Sequence, residues 1–368
     1  MRILVVATHI KVPDSHGGST HVSELHRNLG RHGPTLLLCR NGSSGDNVVG
    51  VSFYGKHPPL GLKHALSVAY LPKALLAARR FKPDVIYERG SSNGLGMMLS
   101  RILKIPMLTM VLDEHYSPLS LAHARRIIAT NLELIPAAHR QKGVKVSWGA
   151  NTDHFRADLD GAPAREQFGF ADDQTVVGYT GSFQDWHGLR YLVQAAEKLR
   201  DRPVRYLLIG DGRRRAETEA AIAERGLSDR FVFTGRVPYD DVPRLLAAAD
   251  CCVAPFDPDR HPLSAREGFA LDPLKVFEYL AMAKPTITIQ AGNIQALFRD
   301  PDHLTMVPRR DPAALARAIE HVVDEPEAAR EAAKAGHQRV LKDRTWASHA
   351  AHLATLFEEM LEEQQRGT

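Results

Sequence analysis

Short runs of Val, Ile and Leu alternate along this chain with longer stretches whose apolar residues recur every three or four positions. In the first half the runs are ILVVAT, TLLLC, VIYER, PMLTMVL and KVSW; in the second they are VVGYTG, RYLLIG, RFVFTG, CCVAPF and TITIQ. Runs that are continuously apolar, not alternating, suit strands buried on both faces, as in parallel sheets. Helical stretches of ten or more residues between them make βαβ units. Two such sets predict an α/β chain of two Rossmann-like, doubly wound parallel-sheet domains. The loop-rich WGANTDHF, residues 148–155, marks the joint, so the domains are expected at 1–150 and 151–345, with a final helix over 346–368. Ligands of open parallel sheets collect at the carboxyl ends of the strands, so two facing sheets predict a site in the cleft between them.

The densest chemistry lies in PLSAREGFALDPLKVFEYLAMAKPT, residues 262–286. Pro273 suits a first helical position, and Leu274, Val276, Phe277, Leu280 and Ala281 form an apolar face. Lys275 and Glu278 then lie one turn apart on the other side, beside the free N–H groups of the helix start. A cation, unpaired amides and a carboxylate in that order suit a diphosphate joined to a ribose. An ordinary ion pair on a solvated helix face would have the same spacing.

Three loops, two of them glycine turns, follow strands of the second half. Gly181, Ser182 and Phe183 come first, with His187 and Gly188 opening the next helix; Gly210, Asp211 and Gly212 follow, trailed by Arg213 and Arg214; Ala254, Pro255 and Phe256 are third. Glycine lets backbone amides approach a phosphate without side-chain obstruction. In the first half, Gly17 and Gly18 occupy the corresponding turn after the first strand.

PLKVFEYLAMAKP resembles the SPLKLFEYMAAGKP segment of one branch of the family 4 retaining glycosyltransferases, whose fold is called GT-B. RILVVATHI with HGGSTHVSELHRNL, DVIYERGSSNGLGMMLSRILKIPMLTMVLDEHYSPL, VVGYTGSFQDWHGLRYLVQAA, YLLIGDGRRRAE, FVFTGRVPYDDVPRLLAAADCCVAPF and TWASHAAHLATLFEEML are similar to further segments of that family, in order and over nearly the whole chain. The resemblance implies transfer of a sugar from a nucleotide-diphosphate sugar to an acceptor with retention at the anomeric carbon, without a metal or other cofactor. It implies that Lys275, Ser182 and the amides near Leu274 hold the departing diphosphate, that Glu278 meets the ribose, and that the base packs near Arg236, Val237 and Phe256. Gly17 and Gly18 would lie near the donor, and His115 and Glu267 near the transferred sugar. It also implies that the last helix returns to the first domain. Two departures stand out: Phe183 and His187 occupy places where the wider family has Arg and Lys, leaving charge neutralisation to Lys275 and an arginine of the GDGRRR turn. Glu267 lies eleven residues before Glu278, where the family spacing is eight.

Composition narrows the alternatives. At 368 residues and 44% apolar, the chain can build two cores. Three cysteines make no disulfide framework, no apolar run has the length of a membrane span, and no signal peptide is visible; a cytoplasmic protein is expected. Charge is uneven: residues 1–150 hold 19 Lys and Arg against 8 Asp and Glu, and residues 151–368 hold 28 against 35. The basic half predicts an anionic acceptor or peripheral contact with an anionic membrane, with Lys63, Lys73, Arg79, Arg80 and Lys82 around ALSVAYLPKALLAARRF. Pro72 is expected to interrupt that segment. No recognition motif supports nucleic acid. The alternatives are a sugar-nucleotide epimerase of the same fold and a non-catalytic GT-B partner protein. A dinucleotide oxidoreductase fits poorly, because HGGSTH lacks the G-x-G-x-x-G pattern.

Overall fold

The computed structural model describes residues 1–14, 17–53, 63–90, 94–113, 115–261, 264 and 272–366. The chain divides into two compact units, Met1–Trp148 with Trp346–Thr368, and Gly149–Thr345. The C-terminal helix Trp346–Arg366 thus belongs to unit 1, where it packs on α1 (Gly17–Leu29). It brings one Arg and four Glu, so unit 1 as folded holds 20 Lys and Arg against 12 Asp and Glu, a smaller excess than in residues 1–150 alone.

Among the described residues, unit 1 has seven parallel strands: β1 (Ile3–Val6), β2 (Thr35–Arg40), β3 (Val48–Ser52), β4 (Val85–Arg89), β5 (Met107–Met110), β6 (Arg126–Ala129) and β7 (Gly143–Lys145). Their order is β3-β2-β1-β4-β5-β6-β7. Unit 2 has six: β8 (Thr175–Thr180), β9 (Val204–Ile209), β10 (Phe231–Gly235), β11 (Cys251–Ala254), β12 (Thr286–Ile289) and β13 (Thr305–Val307), ordered β10-β9-β8-β11-β12-β13. Strand order reverses between β1 and β4 and between β8 and β11, the switch points at whose carboxyl ends ligands of such sheets bind. β1 is an unbroken apolar run and buried throughout; β4 is buried throughout as well, including Glu88 and Arg89 at its end. The unit 2 core joins Val177, Leu208, Val253 and Ile287 of the sheet to Leu192 and Ile319 of flanking helices.

Three strands escape the apolar-run reading. β3 is a partly exposed edge strand carrying a glycine, β6 opens on an arginine, and β13 is three residues long. The strand read from KVSW forms two residues earlier than that motif's start suggests, at Gly143–Lys145. Pro72 does not break its segment: α2 runs from Lys63 to Phe81 with Pro72 inside and exposed. The carbonyl that loses its donor there faces solvent, so water can take the missing bond and the cost is tolerated.

Candidate functional site

The site is built at the switch point of unit 2. The loop after β8 and the loop after β11 meet so closely that a Cβ at Gly188 would stand 1.7 Å from the Pro255 carbonyl oxygen. The loop after β9 presses on the first: a Cβ at Gly210 would be 2.0 Å from the Gly181 oxygen, and one at Gly212 would be 2.5 Å from the Phe183 nitrogen. Gly181, Gly188 and Gly210 also have φ of 132°, 69° and 137°, values that favour glycine. Phe183 N–H donates to the Asp211 oxygen (3.0 Å), and Arg214 N–H to the Phe183 oxygen (3.0 Å). The Phe183 ring itself is fully buried, edge-on to Tyr179 and Phe233, so this residue anchors the turn and its side chain is part of the core.

Lys275 enters this arrangement from the helix Leu274–Ala281, which connects β11 to β12. Pro273 stands just before its first residue, and the helix is buried on nearly every side, Lys275 and Glu278 included. That excludes the solvated ion pair. Lys275 is 9% exposed, and its Nζ has no hydrogen-bond partner among the described residues. Nζ lies 4.1 Å from the centroid of the Tyr179 ring and 5.2 Å from that of Phe256. It occupies the space a side chain at Gly181 would need, 2.8 Å from a Cβ placed there. Two ring faces attract the ammonium but supply no lone pair. Burial pulls its pKa from 10.5 down to about 7, against the opposing pull of the Glu278 charge. A lysine held in this way stands ready for an anion.

Glu278, one turn on, accepts a hydrogen bond at Oε1 from the Tyr239 hydroxyl (3.1 Å). His187 pairs through Nδ1 with the Ser182 carbonyl oxygen and packs edge-on to Tyr179, Trp186 and Phe256. Burial, then the neighbouring Lys275 charge, depress its pKa well below 6.5, so His187 is neutral at pH 7. A neutral imidazole holding the Ser182 backbone shapes the turn without adding charge.

The arginines of the GDGRRR turn behave differently from the sequence expectation. Arg213 and Arg214 both pair with Asp185, Arg214 also with Glu217, and Arg215 with Glu219. Their charges are already matched by carboxylates, which leaves Lys275 as the unmatched cation of these loops. Arg236 is exposed and Val237 and Leu274 are half-buried. Glu267 lies outside the described residues. In unit 1, a Cβ at Gly17 would meet nothing within 4 Å, while the Gly18 oxygen accepts from Arg89 Nη1 (3.1 Å). His115 is half-exposed, with Nδ1 3.4 Å from Asp113 Oδ1, and its backbone N–H donates to the same oxygen (2.8 Å).

Sequence reasoning missed Tyr179, Tyr239 and Asp257. Asp257 is buried and accepts from Tyr191 (2.8 Å) and Arg310 (3.0 Å) and pairs with Arg190, while its N–H donates to the Trp186 oxygen (2.8 Å). It thereby ties the loops after β8, β11 and β13 together. A carboxylate three residues past an apolar strand was the available signal. Among the described residues no group of three or more His, Cys, Asp or Glu is placed to hold a metal ion.

Residues 174–325 match the protein-family model described as Glycosyl transferases group 1, so this segment of unit 2 is a domain of that group. A 2-deoxystreptamine glucosyltransferase of Streptomyces kanamyceticus is 31% identical over 200 residues, 52% of this chain and 47% of that one. A D-inositol 3-phosphate glycosyltransferase of Corynebacterium urealyticum is 28% identical over 193 residues, covering 50% and 43%. The chain thus spans about half the length of these relatives. The crystal structure of Anabaena HepE in complex with UDP superposes with a TM-score of 0.76 over 98% of this chain and all of that one, at 19% identity, a likeness of fold.

Proposed function

We propose that this chain is a metal-independent, retaining glycosyltransferase that draws its sugar from a nucleotide-diphosphate donor bound by unit 2. The observation that carries this reading is the buried, unpartnered Lys275 ammonium at the Gly181 turn. A diphosphate there would supply the acceptor oxygens that Nζ lacks, and the water-poor setting strengthens the attraction. Gly181 beside it adds no side-chain bulk. Glu278, oriented by Tyr239, is one helical turn away and suits ribose hydroxyls. As the glycosidic bond breaks, charge grows on the leaving diphosphate. A preset cation stabilises that state more than the ground state, which is what lowers a barrier. His115, beside Asp113, is the candidate to meet the sugar.

Unit 1 would receive the acceptor. The relatives named above carry names of opposite chemistry, one an amine and the other a phosphate. The excess of cations in unit 1 favours an anionic acceptor over an amine. The experiment is thermal unfolding across UDP-, GDP-, ADP- and TDP-sugars, since a ligand that binds only the folded state raises Tm by mass action. One nucleotide class should stabilise the wild type and, at the same concentration, stabilise Lys275→Met less. If none of them shifts Tm, unit 2 is not a donor site and the reading falls.

A further inference from the structure

The cations of α2 differ from almost every other cluster in the molecule. The 37 residues from Asn47 to Pro83 hold six Lys and Arg and no Asp or Glu. The first acid beyond them, Asp84, is engaged by the backbone N–H of Arg2 (2.6 Å). Ala74 and Ala78 of α2 are fully buried and seat the helix on unit 1, with Ser67 buried on the same side. The opposite stripe, spaced three and four residues apart, is exposed: Val68, Ala69, Pro72, Lys73, Leu76, Arg79 and Arg80. Val68 is 57% and Leu76 53% exposed, and Phe53, which packs against Tyr70 of α2 at 6.4 Å, is 75% exposed. Lys73, Arg79, Arg80 and Lys82 make no ion pair among the described residues.

We propose that this face of α2, with Phe53, docks the protein on an anionic lipid surface. The stripe combines what such a surface needs. The C-terminal half of α2 presents cations that pair with no carboxylate among the described residues, and Val68 ahead of them and Leu76 between them are branched apolar side chains able to enter the headgroup boundary. A solvated helix face has no use for large apolar groups between its charges, and a soluble polyanion would engage the cations alone. The face lies on unit 1, away in the chain from the donor loops of unit 2, so docking leaves nucleotide binding intact. The inference stands apart from the donor reading.

The test is cosedimentation of the full chain with vesicles of phosphatidylcholine alone or with a third phosphatidylglycerol, at low and physiological salt. The wild type should bind the anionic vesicles, more tightly at low salt, and ignore the neutral ones. Each cation near an anionic surface contributes about five-fold to partitioning, so Arg79→Gln, Arg80→Gln and Lys82→Gln together should weaken binding roughly a hundred-fold. Val68→Ser with Leu76→Ser should remove most of the binding that survives physiological salt. An unchanged melting temperature shows that each variant folds. Absence of wild-type binding at low salt overturns the proposal, as does wild-type-like binding by the triple variant. Retention on immobilised heparin without vesicle binding also overturns it and assigns the stripe to a soluble polyanion.

Discussion

Units 1 and 2 share a doubly wound parallel sheet, yet their glycine turns are built differently. After β1, Gly17 has open space where a side chain would go, at the start of α1. After β8 and β9, Gly181, Gly188, Gly210 and Gly212 leave no room for a Cβ, and three of them hold positive φ. The charges follow the same division. In the unit 2 loops Arg213, Arg214 and Arg215 are paired with carboxylates, while Lys275 is buried with no hydrogen-bond partner among the described residues. On α2 of unit 1 the bare cations are on the surface. Both units display unmatched positive charge, but one stores it in a rigid, dry setting and the other spreads it in solvent. The first arrangement selects a specific anion at a fixed place; the second favours anionic surfaces with little geometry.

The sharpest way to break that contrast is to fill a unit 2 turn. Gly210→Ala drives a methyl into the Gly181 carbonyl and forces a non-glycine residue to a φ near 137°. A loss of about 3–5 kcal/mol is expected, with nucleotide binding abolished, and denaturant unfolding measures it. Full stability in this variant would mean that the loops are loose.

Lys275→Met should have effects of opposite sign. Removing a buried ammonium without a hydrogen bond should stabilise the empty protein by about 1–3 kcal/mol, while nucleotide affinity falls roughly ten- to a hundred-fold through loss of a charge-assisted contact. Tm without ligand and isothermal titration with the nucleotide separate the two. A variant that loses stability would show that Lys275 holds the fold together and does not wait for an anion.

Gly17→Ala is the counterpart in unit 1 and the smallest effect. With no atom within 4 Å of the added methyl, stability should shift by no more than about 0.5 kcal/mol. A large loss of stability would mean that the two turns are built alike.

Much of this was legible in the chain. Lys275 and Glu278 could be paired from sequence because helical spacing alone sets their separation, and continuous apolar runs were enough to announce most strands. What escaped depends on contacts between distant segments. Tyr179 and Phe256 cradle Lys275 only because β8 and β11 are neighbours in the sheet. Arg213 looked available for a phosphate until the fold set Asp185 beside it. Burial of Phe183 and the passage of α2 through Pro72 depend likewise on which face tertiary packing turns inward. The edge strand β3 is partly exposed and interrupted by a glycine, and β13 has three residues, so neither pattern stands out.

If Lys275 is a buried cation waiting for a diphosphate, its proton must report the ligand's arrival. The folded pKa, about 7, lies below the unfolded 10.5, so burial disfavours the charged form. That cost is largest below pH 7 and is relieved as pH rises from 7 to 10.5, so the empty protein should gain stability across that window. A bound diphosphate raises the pKa again, and binding above pH 7 must therefore take up a proton, with affinity falling by up to about ten-fold per pH unit. Isothermal titration at pH 8 with the nucleotide sugar that stabilises the protein, in two buffers of different ionisation enthalpy, reads that proton. The account predicts uptake of close to one proton by the wild type and none by Lys275→Met. Zero uptake by the wild type, or equal uptake by the variant, would contradict it.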